Sequence, residues 1–223
     1  MSILHEFFQK LGADVVRHTI EHVCLTFLAM LIATAAALPL GVYLTRSRFP
    51  RLVALILGVA SVVQTVPSLA LIAFIVFIFA LATLPTIGML PAVVALVLYA
   101  LLPILRNTYT GIRQVDPNVI EVAQGMGMTS GQILFKVELP LSLPVIMAGL
   151  RISTVWTIGV ACLCTLVGGG GLGDLIMRGL RSIQLDYILA GTAPAALLAI
   201  LFDWGLGALE KALTPGRSAE TAT

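Results

Sequence analysis

The chain has 223 residues, 59% of them hydrophobic and only 11% charged, with a net charge of +2. A water-facing domain carries about 25% charged residues, so much of this surface must face lipid. The small net charge leaves no electrostatic footprint for nucleic acid, and Cys24, Cys162 and Cys164 all fall inside apolar runs, where they read as packing residues rather than metal or redox ligands.

A helix needs about 20 apolar residues to cross roughly 30 Å of hydrocarbon. Residues 1–22 are expected to be an outer N-terminal segment. The first span follows over 23–44; it is too long for the apolar part of a cleavable signal, and Arg46, Arg48 and Arg51 come directly after it. A second apolar stretch, 52–84, is interrupted by Gln64-Thr65-Val66-Pro67-Ser68. Spans three, four and five are expected over 89–105, 141–167 and 188–209, with a tail over 210–223.

Charge asymmetry decides whether 52–84 crosses once or twice. Short loops rich in Lys and Arg stay in the cytoplasm. The two basic loops carry Arg46, Arg48 and Arg51, and Arg106, Arg113, Lys136 and Arg151. An even number of crossings must separate them, and 89–105 supplies one, so 52–84 supplies the other. Its first part is expected to run obliquely near the cytoplasmic face. The result is an all-α transmembrane bundle of five spans, with six as the rival count, the N-terminus outside and the C-terminus inside. Nine of the 13 Lys and Arg then lie in cytoplasmic segments.

The long polar loop, 107–140, reads as two short helices. Asp116 before Pro117 is an N-cap followed by proline at the first helical position. A helix over 117–124 is stopped by Gly125-Met126-Gly127-Met128. Thr129 and Gln132 form a capping box that opens the second helix, and Leu139-Pro140 is expected to end it.

This loop resembles the signature of binding-protein-dependent ABC permeases: E-A-A, three residues, G, nine residues, I-x-L-P. Here it reads Glu121-Val122-Ala123, Gly127 and Val137-Glu138-Leu139-Pro140, with apolar Val122 and Val137 as the departures. The resemblance implies a type I ABC importer permease fold and a transmembrane domain over 23–209. It also implies that Glu121, Ala123, Gly125, Met126, Gly127, Met128, Leu139 and Pro140 couple to an ATPase subunit. Gln64-Thr65-Val66-Pro67-Ser68-Leu69-Ala70, the run from Leu101 to Ile112, Ala148-Gly149-Leu150-Arg151 and Gly168-Gly169-Gly170-Gly171-Leu172-Gly173-Asp174 resemble the glycine betaine, carnitine and choline branch. That branch implies osmoprotectant import across the bacterial cytoplasmic membrane. The partners implied are an ATPase dimer, a periplasmic or lipid-anchored substrate-binding protein and a second permease subunit, identical or homologous. An amino-acid or methionine permease, and an ion-coupled secondary transporter, are the rival readings.

No Gly-x4-Gly-Lys-Ser/Thr loop occurs, so ATP and Mg are assigned to the partner ATPase, and neither a catalytic residue nor a metal ligand is expected here. Gly168, Gly169, Gly170 and Gly171 read as a flexible outer turn or as a gate. The break holding Gln64, Pro67 and Ser68 either lines the translocation pathway or is a packing kink. Asp203, an acid inside a span, either has a structural partner or attracts a cation in the pathway, and Arg151 is expected to snorkel to the interface. Trp156, Trp204 and the four tyrosines show no cluster in the sequence, so capture of a quaternary ammonium is assigned to the separate binding protein.

Overall fold

The computed structural model describes residues 2–214, with residues 2–10 as backbone alone. It is built of helices α1 (Ser2–Arg46), α2 (Pro50–Thr65), α3 (Ser68–Leu81), α4 (Met89–Arg113), α5 (Pro117–Gly125), α6 (Ser130–Ile133), α7 (Leu139–Ala161), α8 (Leu172–Ser182) and α9 (Leu185–Leu213). No strand occurs among the described residues.

Among the described residues four helical runs are long and apolar enough to cross a membrane: Leu11–Arg46, Met89–Arg113, Ser130–Ala161 and Leu185–Leu213. The fifth crossing is the pair α2 and α3, bent by 109° at the expected break. Val66 precedes a proline, which disfavours the helical region for it, and it lies at φ −72°, ψ 127°. The 14 residues of α3 rise only about 21 Å. With α3 across the bilayer, α2 lies nearly along its surface, the oblique approach the sequence suggests.

An ion pair fixes the parity of the crossings. Arg46, the last residue of α1, donates to Glu138 beside the start of α7, with Nη1 3.0 Å from Oε1. The two ends therefore share a face, here the loop face, since α5 and α6 lie between them in sequence. Only one crossing by α2 and α3, added to that of α4, brings the chain back.

Core packing centres on α4, where just over half of the residues of the span are buried. Against it α1 lays a stripe of small residues at helical spacing, Ala29, Ala33, Ala37 and Gly41. A Cβ at Gly41 would come within 2.7 Å of Thr108 on α4. Such small-residue stripes let helices approach closely where lipid removes any hydrophobic drive between them.

Three expectations need correcting. The N-terminal segment 1–22 is no separate unit, because helix runs unbroken from Ser2 through the first span; tail residues 210–213 likewise belong to α9, and 215–223 lie outside the described residues. The polar loop starts later than residue 107, since α4 continues to Arg113. Leu139-Pro140 does not end a helix: Leu134–Glu138 forms a π-helical turn, with Leu139 N–H bonded to the Leu134 carbonyl, and the helix continues into α7. A proline inside an α-helix lacks the N–H that serves the fourth residue before it, and the wider turn shifts the pattern around that gap.

Candidate functional site

The inner loop owes its shape to local chemistry. The Asp116 carboxylate accepts the Asn118 N–H at 2.9 Å and caps α5. At the other end Met128 N–H reaches the Ala123 carbonyl at 3.1 Å and Gly127 N–H the Gln124 carbonyl at 2.9 Å. These are the two bonds of a Schellman motif, and the residue that makes the turn is Gly127 at φ 79°. Thr129 then caps α6: its N–H donates to Gln132 Oε1 at 2.8 Å and its hydroxyl accepts from Gln132 N–H at 3.4 Å. Ala123 and Ile133 are buried, while Val119, Val122 and Met126 are exposed, Met126 by 70%. Glu121, Gly125 and Gly127 are also exposed, and a Cβ at either glycine would meet no atom within 4 Å. The loop thus presents a rigid helix-turn-helix with an uncovered apolar face.

Glu138, the variable position between Val137 and Leu139, is 5% exposed and held by both Nη atoms of Arg46. A buried carboxylate needs such a partner. The loop base is therefore fastened to the first span, and sequence reasoning missed the pair because 92 residues separate its members.

At the broken helix, the Gln64 amide donates to the Tyr99 carbonyl at 3.2 Å, and the Tyr99 hydroxyl donates to the Val66 carbonyl. The reason lies in α4. Pro103, four residues after Tyr99, has no N–H to give to that carbonyl. Gln64 fills this gap, and Tyr99 in turn satisfies a carbonyl freed by the break. Ser153 on α7 serves the neighbouring Ala100 carbonyl at 2.7 Å. Gln64 thus has a packing partner, while Gln64 and Pro67 both keep an exposed face.

Asp203 on α9 is held by Arg151 on α7 through two bonds of 2.9 Å, and Glu210 lies 3.5 Å from the same guanidinium. Arg151 is therefore ion-paired within the bundle. Trp156 and Trp204 line one groove with these two residues, a relation that the sequence does not show.

The outer turn is a packed joint rather than a flexible link. Gly168, Gly170 and Gly171 have φ of 76°, 71° and 84°. A Cβ at Gly169 would come within 2.9 Å of Ala92 on α4, one at Gly171 would crowd His22 on α1, and one at Gly173 would land on the Cys162 carbonyl. Gly171 N–H donates to Glu21 at 3.2 Å, and Gly88 N–H to the Val167 carbonyl at 2.7 Å. Amphipathic α8 follows, with Leu172 and Leu175 buried and Arg181 exposed. Its 11 residues are too few to cross a bilayer. Cys164 is buried against Ala92, as a packing residue would be.

The expected residues thus fall in four places: the inner loop, the broken helix, the α7–α9 groove and the outer turn. A bundle of this kind with a capped helix-turn-helix on one face defines a membrane-embedded permease subunit. The chain belongs to the family described as binding-protein-dependent transport system inner membrane component, whose model matches residues 37–215. It is 44% identical over 210 residues to the choline transport system permease protein OpuBB of Bacillus subtilis, covering 94% of this chain and 93% of that one. It is 46% identical over 215 residues to the carnitine transport permease protein OpuCB of Listeria monocytogenes, covering 96% and 95%. Among solved structures, an inward-facing form of the MetNI methionine ABC transporter matches with a TM-score of 0.81 at 23% identity, covering 92% of this chain and 98% of that one. The last match establishes the type I importer permease fold and no more.

Proposed function

We propose that the chain is the permease subunit of an ABC importer for quaternary-ammonium osmoprotectants such as glycine betaine, carnitine or choline. The observation that carries this reading is near full-length similarity, at 42–46% identity, to permeases named for choline, carnitine and glycine betaine transport. ATP and Mg belong to a separate ATPase dimer that docks from the cytoplasm on α5 and α6, against Glu121, Val122, Met126 and their neighbours. Gly125, Gly127 and Met128 keep that surface clear, and Leu139 and Pro140 join it to α7. The loop face is cytoplasmic, as its excess of Arg and Lys supports, which puts the N-terminus outside and the C-terminus inside. A separate binding protein delivers solute at the outer turn, where Gly168, Gly169, Gly170 and Gly171 bound the gate. A second permease subunit, identical or homologous, completes the pathway along Gln64, Pro67, Ser68 and Asp203.

The test is ATP hydrolysis by the chain reconstituted in lipid with its ATPase and binding protein. Stimulation by choline, glycine betaine or carnitine, abolished by Gly127→Glu, is the expected result. Stimulation by amino acids alone would overturn the cargo and keep the importer.

A further inference from the structure

Helix α7 is held at three levels by three different means. In its middle it sits directly on α4: a Cβ at Gly111 of α4 would come within 3.0 Å of Val145, and one at Gly149 of α7 within 2.8 Å of the Pro103 carbonyl. About 14 Å outward of Gly149, buried His22 of α1 donates from Nε2 to the Ile158 carbonyl at 3.1 Å. About 10 Å inward of Val145, Glu138 is held by Arg46 at the end of α1.

The inner attachment differs in kind from the other two. A groove of about 740 Å³ separates α1 from this part of α7, with Pro39, Val42 and Tyr43 on one wall and Leu139, Leu143 and Ile146 on the other. The two helices are thus joined here by long side chains across a gap, not by packed backbones. Helix α1 is in turn fixed to α4 by Ala29, Ala33, Ala37 and Gly41, so α1 and α4 form a frame. The Arg46 side chain is 44% exposed and that of Glu138 only 7%. On separation water can take up the guanidinium, whereas the carboxylate is left buried without a partner. That asymmetry lets the bond break and favours its re-forming.

We propose that the Arg46–Glu138 pair is a latch of the transport cycle, closed in the conformation described here and opened when the ATPase subunits draw on the loop. The proposal rests on the importer reading above. Helix α6 continues through the π-helical turn into α7, so a force on α6 reaches Glu138 before it reaches the seat on α4. With the latch open, the inner end of α7 swings between the largely apolar walls of the groove while Gly111 and Gly149 keep the middle in place. Arg46 and Glu138 are positioning residues, which touch neither solute nor nucleotide. Closed, the latch restrains the loop and keeps hydrolysis tied to solute; weakened, it lets the loop move unprompted.

Glu138→Gln keeps the shape of the side chain and removes its charge. In proteoliposomes with the ATPase and binding protein, it should raise solute-independent hydrolysis roughly fivefold and lower the solute taken up per ATP. The solute is whichever of choline, glycine betaine and carnitine the unaltered importer takes up. A merely destabilised subunit would slow both rates together and leave their ratio alone, so an unchanged ratio would overturn the proposal. A second measurement holds the latch shut, by joining Arg46→Cys and Glu138→Cys with a reducible bis-methanethiosulfonate spacer. Each single variant controls for Cys24, which is exposed. Uptake should stop while the bridge is intact and return on reduction. Uptake through the bridged permease at the unbridged rate would overturn the proposal and make the pair a permanent fastening. Should the double variant fail to assemble, uptake per ATP in Glu138→Gln decides. Failure of the importer reading is separately visible, as absence of uptake of all three solutes by the unaltered protein.

Discussion

Two glycine turns sit at opposite faces of the molecule, and they need glycine for different reasons. At Gly127 the backbone is left-handed but no atom lies within 4 Å of where a Cβ would stand. In the outer turn the backbone is left-handed at three positions, and the space is also filled, by His22, Ala92 and the Cys162 carbonyl. The inner turn is free-standing and its surface is open to a partner. The outer turn is where α1, α4, α7 and α8 meet, so its glycines belong to the core.

The largest test of this difference is Gly173→Ala. The added methyl lands on a backbone carbonyl, and a cost of about 3 kcal/mol is expected from overpacking. Thermal melts in detergent should show early unfolding, and an unchanged melt would break the account of the outer turn as core. Arg46→Ala comes next. It strands Glu138, and because Arg46 is itself partly exposed the expected cost is about 2 kcal/mol, recovered in part when Glu138→Gln is added. A double variant no more stable than Arg46→Ala alone would count against the pair as the loop's anchor. At the free-standing turn Gly127→Ala should cost only about 1 kcal/mol, from the left-handed backbone, and should keep solute-stimulated hydrolysis. Gly127→Glu should fold about as well yet lose that stimulation. If Gly127→Ala proves as damaging to the melt as Gly173→Ala, the two turns are not different in kind. Smallest is Thr129→Ala, about 1 kcal/mol or less for a lost cap, read as faster amide exchange confined to α6.

The inner loop was legible in the sequence because everything that shapes it is close in the chain. Asp116 before Pro117, the glycines, and Thr129 with Gln132 act within a few residues, and each bond they suggest is present. Five crossings were legible too, since hydropathy and basic loops are properties of segments. What escaped was long-range. Arg46 with Glu138, Arg151 with Asp203, and Gln64 with Tyr99 pair residues whose closeness depends on how helices cross. Trp156 and Trp204 escaped for the same reason. Leu139-Pro140 misled for another: proline does stop an α-helix, but a π-helical turn in front of it lets the helix carry on.

That continuity has a mechanical consequence. From Ser130 to Ala161 the chain is one helical run of 32 residues, a strut about 48 Å long that begins at the exposed inner loop and ends just before the outer turn. A strut pivoting about its middle moves its ends in opposite senses; a tilt of about 10° carries each end about 4 Å. A push on α6 therefore reaches the opposite face of the bundle as displacement of reversed sign, the two ends moving as a single lever.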